Sequence, residues 1–246
     1  MNDELSFNKD YQKPSKGKKV RSIQEWLCLN GIGVMVDGDF GPATDYAVRL
    51  FQREKGLNEN GIVGKKTWEA LTEQMKKADE HIAPGQKRLG QMVVAYARQH
   101  WKRKPREIGG QNKGPWVRLY MNGNEGPQWA WCAGFTCHIL EKACHALGVP
   151  LPIRTSFSCD SLAASAKLKD RFLAESKIVR KKQITPGSFF LARRTPTDWV
   201  HTGIVIGVED KVFHTIEGNT NDDGGREGYQ VYRRVRGYKK KDFILI

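Results

Sequence analysis

The hydrophobic period of this chain changes once, at Pro186-Gly187. Upstream, apolar residues recur at helical spacing; downstream, short apolar runs alternate with turn residues. Helices followed by strands make an α+β fold, because alternation of the two is what builds parallel sheets. The strand runs are 188–193, 201–208, 211–218, 229–235 and 242–246. They read as an antiparallel meander, with Glu209-Asp210 at a tight hairpin turn.

The helical part begins with a polar, basic stretch, residues 1–18, that reads as a flexible arm. A compact unit over 19–75 follows. Val20, Ile23, Gln24 and Leu27 share one helix face. A second helix runs from about Pro42 to Lys55, with Ala47, Val48 and Phe51 as its apolar stripe and Thr44 or Asp45 as its cap. Gly56 stands where a C-terminal cap belongs. A third helix carries Trp68 and Leu71. Two loops, VDGDFGPAT (36–44) and ENGIVGKKT (59–67), share one pattern: Asp or Asn, Gly, an apolar residue, Gly, then Thr at a helix start. The unit therefore contains an internal repeat too short for a solenoid.

That string of residues resembles the three-helix type of peptidoglycan-binding domain: Gln24, Asp37-Gly38, Phe40-Gly41, Thr44, Phe51-Gln52, Gly61, Val63-Gly64 and Thr67-Trp68. The resemblance implies binding to cell-wall material without cutting it. Asp37 and Asp39 do not make a calcium loop, since the other ligand positions of such a loop are absent. Residues 76–87 read as a linker, and 88–246 as the second domain. That domain opens with an amphipathic helix over about 86–102.

Charge and cysteine content narrow the function. With 41 Lys and Arg against 27 Asp and Glu, the formal charge is +14. Such an excess favours polyanionic partners, including anionic wall polymers. The basic runs are short and scattered and no nucleic-acid-binding motif accompanies them, so nucleic acid is not expected as a partner. No run is long and apolar enough for a membrane span, and the N-terminus shows no apolar core of a secretory signal. The expectation is synthesis in the cytoplasm and release to the wall through a holin-type pore or a specialised secretion system. The five cysteines have no zinc-ligand spacing. They are expected to be reduced, with Cys137 and Cys144 as small core residues; no metal, no cofactor and a monomer are expected.

The chemistry concentrates on Cys132. It lies in QWAWCAGF (128–135), at the start of a helix over about 129–147 that Gly148 and Pro150 end. The unpaired N–H groups of a helix start favour a thiolate, the reactive form of cysteine. Among six histidines, strand geometry selects His201. It lies near the start of one strand, and counting from the hairpin turn places it beside Glu217 on the next. Glu217 and Asn219 are both candidates to orient the imidazole. The proposed set is Cys132 as nucleophile, His201 as base, and Glu217 with Asn219 in support. Trp129, Trp131 and Trp199 flank these residues as candidate walls of a substrate groove; Trp131 reads equally well as core, and Trp199, in a Pro/Thr/Asp loop, is the better groove candidate.

A second resemblance covers about 88–246. Arg106-Glu107-Ile108-Gly109-Gly110, Tyr120, Trp131-Cys132-Ala133, Phe135, Pro186-Gly187, His201-Thr202-Gly203 and Glu217-Gly218-Asn219-Thr220 are similar to the CHAP family of cysteine- and histidine-dependent amidohydrolases/peptidases. The resemblance implies a papain-like fold, peptidoglycan as substrate, and Cys132, His201, Glu217 and Asn219 in the catalytic positions. A Lys/Arg-rich insert at 151–183 departs from the pattern. The expected protein is a cell-wall amidase or endopeptidase of endolysin or antibacterial-effector type, tethered by its wall-binding module. The rival is a wall-binding protein with an inactive hydrolase-like half.

Overall fold

The computed structural model describes residues 3–221 and 228–246. The chain packs as two compact units. One comprises the described residues of Met1–Asp79 together with Arg106–Pro127; the other comprises Glu80–Pro105 and Gln128–Ile246. The fold is α+β, with eight α-helices and one six-stranded antiparallel sheet among the described residues. No described helix is long and apolar enough to cross a membrane.

The first unit holds α1 (Lys18–Leu29), α2 (Pro42–Glu54), α3 (Lys65–Leu71), α4 (Glu73–Asp79) and, further along the chain, α6 (Pro115–Tyr120). Its core is Val20, Ile23, Leu27, Phe40, Val48, Phe51, Val63 and Leu71, all without exposure. The loop repeat has a shared mechanism. Gln24 Nε2 donates to Asp37 Oδ1, to the Asp39 carbonyl and to Thr44 Oγ1, while its Oε1 accepts the Gly38 N–H at 2.8 Å. Gln52 does the same with Asn60, Ile62, Thr67 and the Gly61 N–H, the last at 2.9 Å. Each buried amide thus satisfies the turn that follows its helix, and both turn glycines adopt positive φ, 79° and 73°.

Thr44 and Asp45 are not caps. Gly41 holds the N-cap position, with Pro42 in the first turn. Thr44 is spent on Gln24, and Asp45 pairs with Arg49 at 2.9 Å. Asp37 and Asp39 are also taken by protein partners, Gln24 and Lys16.

Residues 3–17 are packed rather than free, in contrast to the expected arm; residues 1 and 2 lie outside the described residues. Tyr11 is buried and pairs with Val63, and the Trp68 indole donates to the Leu5 carbonyl. Arg118, on α6, gathers Glu4, Glu25 and Glu125 at 2.7–2.8 Å. Trp116 meets Trp26 edge-on at 6.2 Å. These contacts draw Arg106–Pro127 into the first unit. A sequence boundary at 76–87 does not foresee that return, because each contact joins residues far apart in the chain. Arg106–Gly110 and Tyr120 therefore pack with the first unit.

In the second unit, α5 (Leu89–Trp101) packs on α7 (Cys132–Leu147), and α7 rests on the sheet. The strands are β1 (Phe172–Leu173), β2 (Phe189–Thr195), β3 (Asp198–Val208), β4 (Val212–Thr220), β5 (Gln230–Gly237) and β6 (Lys241–Ile244), in the order β1-β6-β2-β3-β4-β5. β2 to β5 form the expected meander. β6 does not extend it: the strand returns to the other side of the sheet and lies between β1 and β2, with Phe190 opposite Phe243. An apolar run fixes a strand but not its partner, so this return was not legible. The insert supplies α8 (Cys159–Leu168) and β1. The hairpin turn is centred on Asp210-Lys211, one residue later than expected, with the Glu209 N–H donating to the Val212 carbonyl.

Candidate active site

Cys132 is the first residue of α7, and no side chain caps that helix. Its position comes from two contacts beneath it. Gly218 on β4 leaves room for Phe135 and Trp131; a Cβ there would stand 2.6 Å from Phe135 Cβ and 3.0 Å from the Trp131 ring. Asn219, in the left-handed region at φ 50°, provides the second. With its amide oriented to satisfy both ends, its oxygen accepts the Trp131 N–H at 3.2 Å and its nitrogen donates to the Gly228 carbonyl. Asn219 therefore pins the residue before Cys132 and is not the hydrogen-bond partner of His201.

His201 lies on β3. Its Nε2 is 2.8 Å from Glu217 Oε2. The strand register does not place the two directly opposite each other. Ile204 pairs with Ile216, and an extra residue, Ile206, bulges between Val205 and Gly207. Continued along the strands, that register sets Gly203 opposite Glu217. A Cβ at Gly203 would come within 2.6 Å of Glu217 Cγ. The Glu217 side chain thus passes over a glycine to reach His201.

Glu217 is fully buried and fully occupied. Arg236, on β5, donates from Nε to Oε1 at 2.8 Å and from Nη2 to Oε2; Thr215 Oγ1 donates to Oε1. Burial alone would raise this carboxyl, but Arg236 and His201 hold it down to about 2. Burial alone would likewise lower His201, yet Cys132 and Glu217 carry it up to about 9. The Cys132 thiol is drawn well below the ordinary thiol range. A hydrogen bond from the Cys159 thiol contributes most; burial opposes it, and His201 and the Thr202 backbone add to it. These directions describe a thiolate–imidazolium pair backed by a carboxylate.

The tautomer follows. With Nε2 committed to an ionised Glu217, the nitrogen left for the Cys132 proton is Nδ1, which is buried and has no aligned hydrogen bond. Cys132 and Glu217 both favour the protonated ring.

The three tryptophans separate. Trp131 has no exposed surface and belongs to the core. Trp199 is buried as well, its indole donating to Asp242 Oδ2 at 2.8 Å and its ring edge-on to Phe172. Neither forms an open wall. Trp129 alone is half-buried, at 6.2 Å from Phe157.

Sequence reasoning missed Arg236, Thr215 and Cys159. Thr215 alternates with Glu217 on one strand face, a signal that was available. Arg236 lies opposite Phe213, and Cys159 opens a helix inside the insert. Both are brought in by pairing and packing that local pattern does not encode.

Residues 16–71 match the family described as "peptidoglycan binding domain". The chain carries a peptidoglycan-binding domain at its N-terminus. Two solved structures are similar to part of the chain. One is a fused Zn-dependent amidase/peptidase/peptidoglycan-binding domain-containing protein from Clostridium acetobutylicum ATCC 824, 38% identical over 26% of this chain and 29% of that one, with a TM-score of 0.26. The other is the SleB N-terminal domain, 37% identical over 27% of this chain and 93% of that one, TM-score 0.27. The chain thus spans under a third of the first of these. No curated protein matches it.

Proposed function

We propose that the second unit is a cysteine hydrolase that cuts an amide bond of peptidoglycan, held to its substrate by the peptidoglycan-binding domain. The observation that carries this reading is the buried chain Cys132, His201, Glu217, Arg236, with its thiol drawn down and its imidazole drawn up. Nucleophile–base pairs need a thiol drawn down and an imidazole drawn up at one buried place, and this pair has both.

The chemistry follows from the atoms present. The Cys132 thiolate attacks the amide carbon. The N–H groups of the uncapped first turn, beginning with that of Cys132, stabilise the oxyanion. The proton held at His201 Nδ1 passes to the leaving amine, and a thioester remains. His201 then takes a proton from water, which attacks the thioester and frees Cys132. Glu217 keeps the ring oriented and its charge balanced throughout. Trp129, half-buried and three residues before Cys132, offers an aromatic face to a sugar or peptide. The wall-binding domain raises the local concentration of substrate. The same steps serve an amidase at the glycan–peptide junction and an endopeptidase within the peptide stems.

A zymogram with embedded peptidoglycan tests the reading. The wild type clears it, Cys132→Ala and His201→Ala do not, and all three sediment with sacculi. Clearing by Cys132→Ala would remove the thiol from the mechanism.

A further inference from the structure

The insert at 151–183, where the chain departs from the CHAP pattern, builds a pocket of its own. A space of about 430 Å3 is lined by Lys167, Asp170, Phe172, Ala174 and Lys177. That volume lies in the range of small-molecule sites, roughly 300–1,000 Å3. The pocket forms where α8 ends. Asp160, at the start of α8, accepts the Trp199 N–H at 2.7 Å. Lys167, in the last turn, holds its amine 4.6 Å from the Trp199 ring and 4.8 Å from the Phe172 ring. Both ends of the helix are thus fastened to Trp199, which stands two residues before His201 on β3.

The charges of this pocket are uncommitted. Close by, Arg193 pairs with Glu175 and Asp242, and Arg194 with Asp198. Lys167, Asp170 and Lys177 join no ion pair among the described residues. The two rings fix the Lys167 charge in place without consuming all three of its N–H donors. We propose that the pocket binds a zwitterionic amino-acid group, with its carboxylate on Lys167 and Lys177, its ammonium on Asp170, and its aliphatic part against Phe172.

Two cations and one anion suit that group better than a group of single sign. A phosphate would meet the Asp170 carboxylate, and a lone amine would meet both lysines. The link through Trp199 gives the pocket its place in the reaction. Two residues of strand span about 7 Å, a distance that a peptide of a few residues covers. That the bound group belongs to a peptidoglycan peptide rests on the preceding reading; the binding of the zwitterion does not. On that reading the pocket is a subsite for the free amino-acid end of a peptide stem, and stems with a blocked end are poorer substrates.

NMR titration of the isotope-labelled full chain tests the pocket with no turnover required. The probes are alanine, N-acetylalanine, which lacks the ammonium, and alaninamide, which lacks the carboxylate. Alanine should shift the backbone resonances of residues 167–177 saturably, and each derivative should shift them less at equal concentration. In Asp170→Asn the advantage of alanine over N-acetylalanine should vanish. In Lys177→Ala its advantage over alaninamide should shrink. Both side chains are exposed, so neither change threatens the fold. No saturable shift over 167–177, or equal shifts from the three probes, would overturn the proposal.

Kinetics on wall fragments with free and with blocked peptide ends test the subsite. Lys177→Ala should raise KM for free-ended fragments by roughly three- to tenfold and leave kcat unchanged. An unchanged KM would overturn the subsite. A wild type that binds alanine but cuts no fragment would sink the hydrolase reading and leave the pocket standing.

Discussion

Gly203 occupies the register position opposite Glu217, and its missing side chain opens the path from Glu217 to His201. The contact that orients the imidazole thus depends on a residue with no side chain. Gly203→Ala would set a methyl 2.6 Å from Glu217 Cγ and 2.9 Å from Phe190 Cε1. We expect a stability loss of about 1–3 kcal/mol from overpacking, and a larger fall in kcat than in substrate affinity. Thermal unfolding and steady-state kinetics on wall fragments would read both. Unchanged kinetics would mean that Glu217 reaches His201 by another route.

Arg236 divides the charge of Glu217 with His201. Arg236→Gln leaves a buried carboxylate with one cationic partner, at a cost of about 3–5 kcal/mol. Glu217 would then serve His201 alone, so the imidazolium keeps its proton to higher pH. The alkaline limb of the rate profile should move upward, a shift that a purely structural arginine would not produce. Arg236→Lys, which keeps the charge but not the two-pronged contact, should fall between the variant and the wild type.

The pH dependence has two signs. The depressed Cys132 thiol keeps its negative charge well below the usual thiol range of about 8.5, so alkylation of Cys132 should stay fast as pH falls below 7. His201 is raised from 6.5 to about 9. Its pairing with Cys132 and Glu217 therefore stabilises the fold fully below 6.5 and less as pH rises through 9. Activity should fall in the same window, since the proton needed by the leaving amine is lost there. Alkylation that rises only as an ordinary thiol ionises would exclude the ion pair.

Asn219 has a role separate from the charge chain. Asn219→Gly relieves the positive φ but releases the Trp131 N–H, a buried donor whose loss of partner costs about 1–3 kcal/mol. The start of α7 should loosen, lowering kcat while the alkaline limb stays in place. An altered limb would instead put Asn219 in electrical contact with His201.

Much of this site is legible in the sequence where the pattern is local. A helix that starts at Cys132, and the nearness of His201 to Glu217 on the next strand, are of this kind. The core of the first unit follows from Val20, Ile23, Leu27 and Phe51 at helical spacing. The illegible part is pairing. A hairpin turn one residue later than expected, and a bulge at Ile206, shift the strands so that Glu217 faces Gly203. Arg236 arrives from a strand whose register nothing nearby announces. Cys159 comes from an insert with no strong period of its own. The return of Arg106–Pro127 to the first unit rests on Arg118 and Trp116, whose partners lie far away in the chain.

The central claim is that the Cys132 sulfur cuts an amide bond in peptidoglycan. Mass spectrometry of the soluble fragments released from purified sacculi tests it most directly. The account predicts that the wild type releases fragments with one new amine and one new carboxylate at a single kind of amide bond. It predicts that Cys132→Ala, bound to the same sacculi, releases none. The same fragments from Cys132→Ala would contradict it, as would fragments cut only within the glycan chain.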